Sequence, residues 1–171
     1  MSESFEFRSV NHFTAGAIGE PGARVFYLQA GDDDRYVSVK IEKQQVSALA
    51  TFLKSVMDDL PEPELPAETP VPLIEPALPE WIVGQIAVGI DEADAKVVLV
   101  VEELVPDEDE DEDEDDLLAD VSTGAQLRVH LSVEQAAGFI ATSEDLMSKG
   151  RPPCRLCGQP DSSRHICPRL N

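Results

Sequence analysis

Apolar and polar residues alternate in several short stretches of the chain, and each stretch reads as a half-buried strand. The first is "FEFRSV" (Phe5 to Val10). After a glycine-rich loop over residues 11–22 come "RVFYLQA" and "RYVSVKI", separated by a "GDDD" hairpin loop. The period then changes. Val46, Leu49, Ala50, Leu53, Met57 and Leu60 recur at intervals of three and four, which predicts one apolar stripe of a helix. The first 60 residues thus read as βββα.

Seven prolines between Pro61 and Pro79 remove backbone donors and favour extended chain, so residues 61–79 read as a linker lying on the surface as a strap. Beyond it, "WIVGQIAVGI", "KVVLVVEEL" and "QLRVHL" are strand candidates, followed by a helix from about Val133 to Lys149. Ser132 and Gln135 have the spacing of a capping box, in which hydroxyl and amide satisfy free N–H groups of the first turn. Laying "VSVKIEKQQVSALA" over "LRVHLSVEQAAGFI" without a gap pairs Val37 with Leu127, Val39 with Val129, Ile41 with Leu131 and Gln45 with Gln135. This suggests an internal duplication, although any amphipathic strand followed by an amphipathic helix aligns comparably.

The expected fold class is α+β: two βββα halves (1–60 and 80–150) sharing a largely antiparallel sheet in one domain over residues 1–150, with a small C-terminal zinc-knuckle tail over residues 151–171. Each half alone has too few strands to bury both a sheet face and its helix.

Charge narrows the functional classes. Thirteen Lys+Arg against 34 Asp+Glu give a net charge of -21, which argues against nucleic acid and anionic membrane partners. Ten consecutive carboxylates (Asp107 to Asp116) account for part of it, and a loop over 106–120 reads as a disordered insertion between strands. No central glycine or helix pair supports an EF-hand there. The first residues lack the basic and apolar segments of a secretory signal, and no apolar run reaches the roughly 20 residues a membrane span needs. A soluble cytoplasmic protein is expected.

All three cysteines lie in the last residues. Cys154, Cys157, His165 and Cys167 form Cys-x2-Cys-x7-His-x-Cys, the donor set of a tetrahedral zinc site. Four protein ligands leave no position for water, so the expected role is structural. A redox CxxC would sit at a helix start after a strand, whereas Pro152 and Pro153 precede Cys154. An iron–sulfur cluster more usually takes four cysteines, and thiols in a loose tail are the remaining alternative. From Lys149 onward, five Lys and Arg residues face Asp161 alone, so the tail is basic on an acidic chain.

The tail "C-x-L-C-G-x-P … H-x-C-P-R", together with the opening "FEFRSVNHFTAGAIGEPGARVFYLQA", resembles an uncharacterised actinobacterial protein family, a domain of unknown function (3090). The resemblance covers most of the chain. It implies a cytoplasmic protein with a terminal Cys/His metal site and no activity to carry over.

Two classes of function follow. One is a protein-interaction or adaptor module with a structural zinc and an unidentified protein partner. The other is an enzyme or small-ligand-binding protein using the glycine-rich loop 11–22 near the metal tail, a reading that convergence of Asn11, His12, Glu20 and Arg24 with the metal tail on one concave pocket would favour. No catalytic residue is nominated, since the loop lacks GxGxxG and the P-loop lysine, and His130 has the strand parity of solvent-facing positions.

Overall fold

A computed structural model describes residues 2–66, 70–106, 124–150, 154–159 and 165–169. Seven strands and two helices follow in the order β1 (Phe5–Phe7), β2 (His12–Ile18), β3 (Val25–Gly31), β4 (Tyr36–Ile41), α1 (Lys43–Met57), β5 (Pro79–Asp91), β6 (Lys96–Glu103), β7 (Gln126–Leu131) and α2 (Val133–Ser148). The strands form one mixed sheet in the order β1-β7-β6-β5-β4-β3-β2. Pairs β1–β7 and β4–β5 are parallel, and the other four are antiparallel.

The mixed α+β class stands, but the first group differs from the expected βββα. Four strands precede α1, because the expected loop 11–22 contains β2, and the first strand stops at Phe7 instead of Val10. Gly16 explains the misreading. It interrupts the apolar pattern as a loop glycine would, yet a Cβ there would collide with the side chain of Leu73 in the proline-rich segment. Glycine is present for close approach of another chain segment, not for a turn.

β1 and β2 occupy opposite ends of the strand order although only residues 8–11 join them. Five Cα steps reach at most about 18 Å, whereas six strand spacings in a flat sheet need about 29 Å. The sheet therefore curls until its two ends approach, and α2 lies along β2 across the closure. Phe13 and Phe139 meet there with ring centroids 5.0 Å apart. The Gln135 amide donates to Val10 O from the same side.

Period-2 alternation puts Leu28, Val39, Leu99, Leu127 and Val129 on the inner face, all fully buried, against Val46, Leu53 and Phe139 of the helices. The helices begin in the same manner: Gln45 accepts from Glu42 N–H at 2.9 Å, and Gln135 from Ser132 N–H at 3.0 Å.

Part of the proline-rich segment crosses the outer face of β2, β3 and β4. Gln29, buried on that face, accepts from Ile74 N–H at 2.8 Å and donates to Ile74 O and Ser38 Oγ, both at 3.0 Å. His12 Nε2 reaches the same amide oxygen at 2.8 Å. Val71 of the same segment donates to Thr142 Oγ1 at 3.1 Å and accepts from Thr14 Oγ1, so Gln29 and two threonines together fix a chain whose prolines leave few donors of their own. Gln29→Ala should strand the Ile74 backbone groups and cost about 1–3 kcal/mol, measurable by urea denaturation, with faster proteolysis near residues 70–78. Unchanged cleavage would show that the prolines and the Thr14 and Thr142 bonds to Val71 hold the strap without Gln29.

Candidate metal centre

Two backbone hydrogen bonds shape the turn that carries the first two cysteines. Gly158 N–H donates to Cys154 O at 2.8 Å, and Cys154 N–H to Gln159 O at 2.7 Å. Gly158 has φ of 74°, in the left-handed region where a side chain is disfavoured. The turn aims Cys154 and Cys157 to one side, where His165 and Cys167 meet them. Cys157 Sγ lies 3.3 Å from His165 Nε2, and Cys154 Sγ lies 3.9 Å from Cys167 Sγ. Ligand atoms of all four residues fall within 4.8 Å of one another, close enough to bind one metal ion. Cys167 is buried and the other three are half-buried. Arg169 Nη1 donates to Leu156 O at 3.0 Å and ties the end of the described tail to the cysteine turn.

The two thiols of the turn differ in acidity. Backbone N–H groups of Cys157 and Leu156 point at Cys154 Sγ and lower its pKa from 9.0 to about 6, with smaller help from the Cys157 and His165 side chains. At Cys157 the Gln159 N–H acts to lower the pKa, but burial and the neighbouring Cys154 and Cys167 sulfurs raise it overall. Of the two thiols of the turn, Cys154 is thus the more readily ionised in the metal-free site. Its depressed value makes its contribution to tail folding fully present above about 9 and lost as pH falls through about 6. In reduced, metal-free protein, iodoacetamide should label Cys154 before Cys157, with a rate rising through pH 6. Peptide mapping after partial alkylation checks this, and preferential labelling of Cys157 would contradict it.

The other nominated residues do not converge. His12 begins β2, engaged by Gln29 and edge-on to Tyr36 at 5.5 Å between ring centroids. Asn11 beside it bonds to Asp33. Glu20 and Arg24 lie beyond the other end of β2, about 20 Å away for a seven-residue strand. Arg24 Nη1 donates to Lys149 O at 3.0 Å. His130 is half-buried on β7, on the parity opposite to the buried Val129 and Leu131. Most of the expected acidic loop 106–120, and Arg151, Asp161 and Arg164 of the basic tail, lie outside the described residues.

Sequence reading missed a groove of about 510 Å³ between α1 and β5, lined by Gln45, Ala48, Leu49, Phe52, Ile86 and Val88 among others. Phe52 falls beside the buried stripe of α1 and is 51% exposed. Its only signal was an aromatic residue one position off the apolar register.

No helix among the described residues is long and apolar enough to cross a membrane. A protein family described as "Protein of unknown function (DUF3090)" matches the chain over residues 5–167. No curated protein and no solved structure matches it.

Proposed function

The chain belongs to the DUF3090 family, and we propose that it is a cytoplasmic protein-interaction or adaptor module whose Cys154, Cys157, His165 and Cys167 hold one structural zinc ion. The observation that carries the metal reading is the convergence of three sulfurs and one imidazole nitrogen. Tetrahedral zinc with ordinary bond lengths implies sulfur–sulfur edges of about 3.8 Å and sulfur–nitrogen edges of about 3.6 Å. The spacings of 3.9 and 3.3 Å sit close to both. Three thiolates and one imidazole also suit zinc chemically. When bound, the ion would supply cross-linking of the tail and no reactive position.

Support for an interaction role is the separation of Asn11 and His12 from Glu20 and Arg24, so that only Arg24 of the four lines the cleft of about 420 Å³ that Pro21 and Gly22 form with Gly150. The same reading takes residues 1–150 as a body carrying the tail 151–171, and its two halves as pseudo-repeats. Helix starts at Lys43 and Val133 lie 90 residues apart (133 minus 43), and each helix has glutamine at the third position.

Elemental analysis of reduced protein, purified with zinc supplied, should find one zinc per chain. Absence of metal at equimolar level would defeat the site. Affinity purification of the full chain from its host should recover a protein partner at comparable stoichiometry. Recovery of none, with turnover of a metabolite by the pure protein, would favour the enzyme class.

A further inference from the structure

The two helices treat their facing strands unequally. α2 lies along β2 and seals Phe13 beneath Phe139. α1 meets β5 chiefly at its first turn, where Gln45 Nε2 donates to Gly84 O at 3.0 Å. Past that point the core-side residues of β5, Ile86 and Val88, are only half-buried, Ile90 is exposed, and Phe52 and Ala48 form the opposite wall of the groove. Burial of these side chains against a partner is favourable by the same hydrophobic term that seals β2, at about 25 cal/mol per Å² of apolar surface.

The surrounding charge says what covers the groove. Along it Gln45 faces Gly84, and Phe52 faces Ile86 to Val88, so α1 and β5 run in the same direction. The carboxylates that follow them, Asp58 and Asp59 after α1 and Asp91, Glu92 and Asp94 at the β5–β6 turn, therefore lie toward the same end, where they outnumber Lys96, the strand partner of Asp91. A second copy of this chain carries a net charge of -21 over its whole length, so its average surface would be repelled by that end. A basic segment would meet it with opposite charge.

We propose that the α1–β5 groove is the docking site for an amphipathic helical segment of a partner protein, apolar on the face that covers Phe52, Ile86 and Val88, and rich in Lys or Arg at the end beside Asp91, Glu92 and Asp94. Such a segment presents residues at i, i+3 or i+4, and i+7, the spacing that fills a groove between a helix and a strand. This rests on the interaction role proposed above and assigns it a surface.

The test uses the full, zinc-supplied chain with photoreactive benzoylphenylalanine in place of Phe52, irradiated in the host cell, and the cross-linked peptide sequenced by mass spectrometry. The expected adduct is an amphipathic segment with clustered Lys or Arg. The synthetic peptide of that sequence should bind Phe52→Asp at least tenfold more weakly than the unmodified chain. It should also lose most of its salt dependence against a chain carrying Asp91→Asn, Glu92→Gln and Asp94→Asn together. Phe52 is half-exposed, so an unchanged melting temperature for Phe52→Asp separates lost docking from lost fold. The proposal is overturned by an adduct to a second copy of this chain, by an acidic segment, by equal peptide affinity for Phe52→Asp, or by adduct yield no higher than from the same photoreactive residue at exposed Leu65. A partner that the Phe52→Asp chain still retains in cells would overturn the groove while leaving the interaction role standing.

Discussion

Cys157→Ser is expected to reduce bound zinc from one per chain to none under mild chelation, while the unfolding midpoint of the α+β body stays where it was. Structural zinc in small Cys/His modules is worth about 10–16 kcal/mol near neutral pH, and serine in place of a thiolate breaks a four-ligand shell at one corner. Burial and the neighbouring Cys154 and Cys167 sulfurs raise the pKa of the Cys157 thiol in the metal-free site. A cation at the site opposes that shift by favouring the thiolate. The body should not follow, because the described tail adds only Cys167 to the buried apolar residues, and Cys167 lies outside the hydrophobic cluster that runs from Phe5 to Ile140. Atomic absorption before and after chelator dialysis, with thermal melts of the same samples, checks both halves of the expectation. Retained zinc would mean that a ligand other than Cys157 completes the shell, and a collapsed melting curve would mean that the tail is part of the body's core.

Phe139→Ala should cost the body about 3–5 kcal/mol, the usual range for removing a fully buried phenylalanine. The residue has no exposed surface, and its ring packs on Phe13 at 5.0 Å. It stands where α2 closes the two ends of the curled sheet, so the cavity left behind opens the seam between β2 and the helix and cannot collapse onto a rigid neighbour. Urea denaturation followed by fluorescence of Trp81 measures the loss, with Phe139→Leu as the milder control. A cost below about 1.5 kcal/mol, the range of volume-conserving swaps, would show that the seam is held by something else, such as the Gln135 bond to Val10 O.

Local chemistry was legible in the sequence, and long-range pairing was not. "QLRVHL" is β7 to the residue, and the Ser132–Gln135 box marks the start of α2, because alternation and capping are decided within a few positions. The cysteine spacing forecast the convergence of Cys154, Cys157, His165 and Cys167 for the same reason, since the last three sit within fourteen residues of Cys154. β2 was hidden by Gly16, whose reason is Leu73, more than fifty residues away. The attachment of β1 to β7 could not be seen from either strand, because a three-residue apolar alternation carries no address. The groove was equally silent, since an exposed Phe52 and half-covered Ile86 become neighbours only once α1 stands off from β5.

The parallel pairing of Phe5 with Leu127 also sets a timetable. A chain that emerges from the ribosome at about 5–20 residues per second presents β1 first and its neighbour among the described strands, β7, on the order of ten seconds later. During that wait β2, β3 and β4 can already form their antiparallel ladder with α1 over it, whereas Phe5 and Phe7 have no strand to join. Closure of the sheet is therefore a late event of synthesis, coupled to the arrival of β7 and α2, and contacts so distant along the chain form slowly. A nascent chain halted before Gln126 would expose those two phenylalanines to chaperones, and release of residues 126–171 would withdraw them.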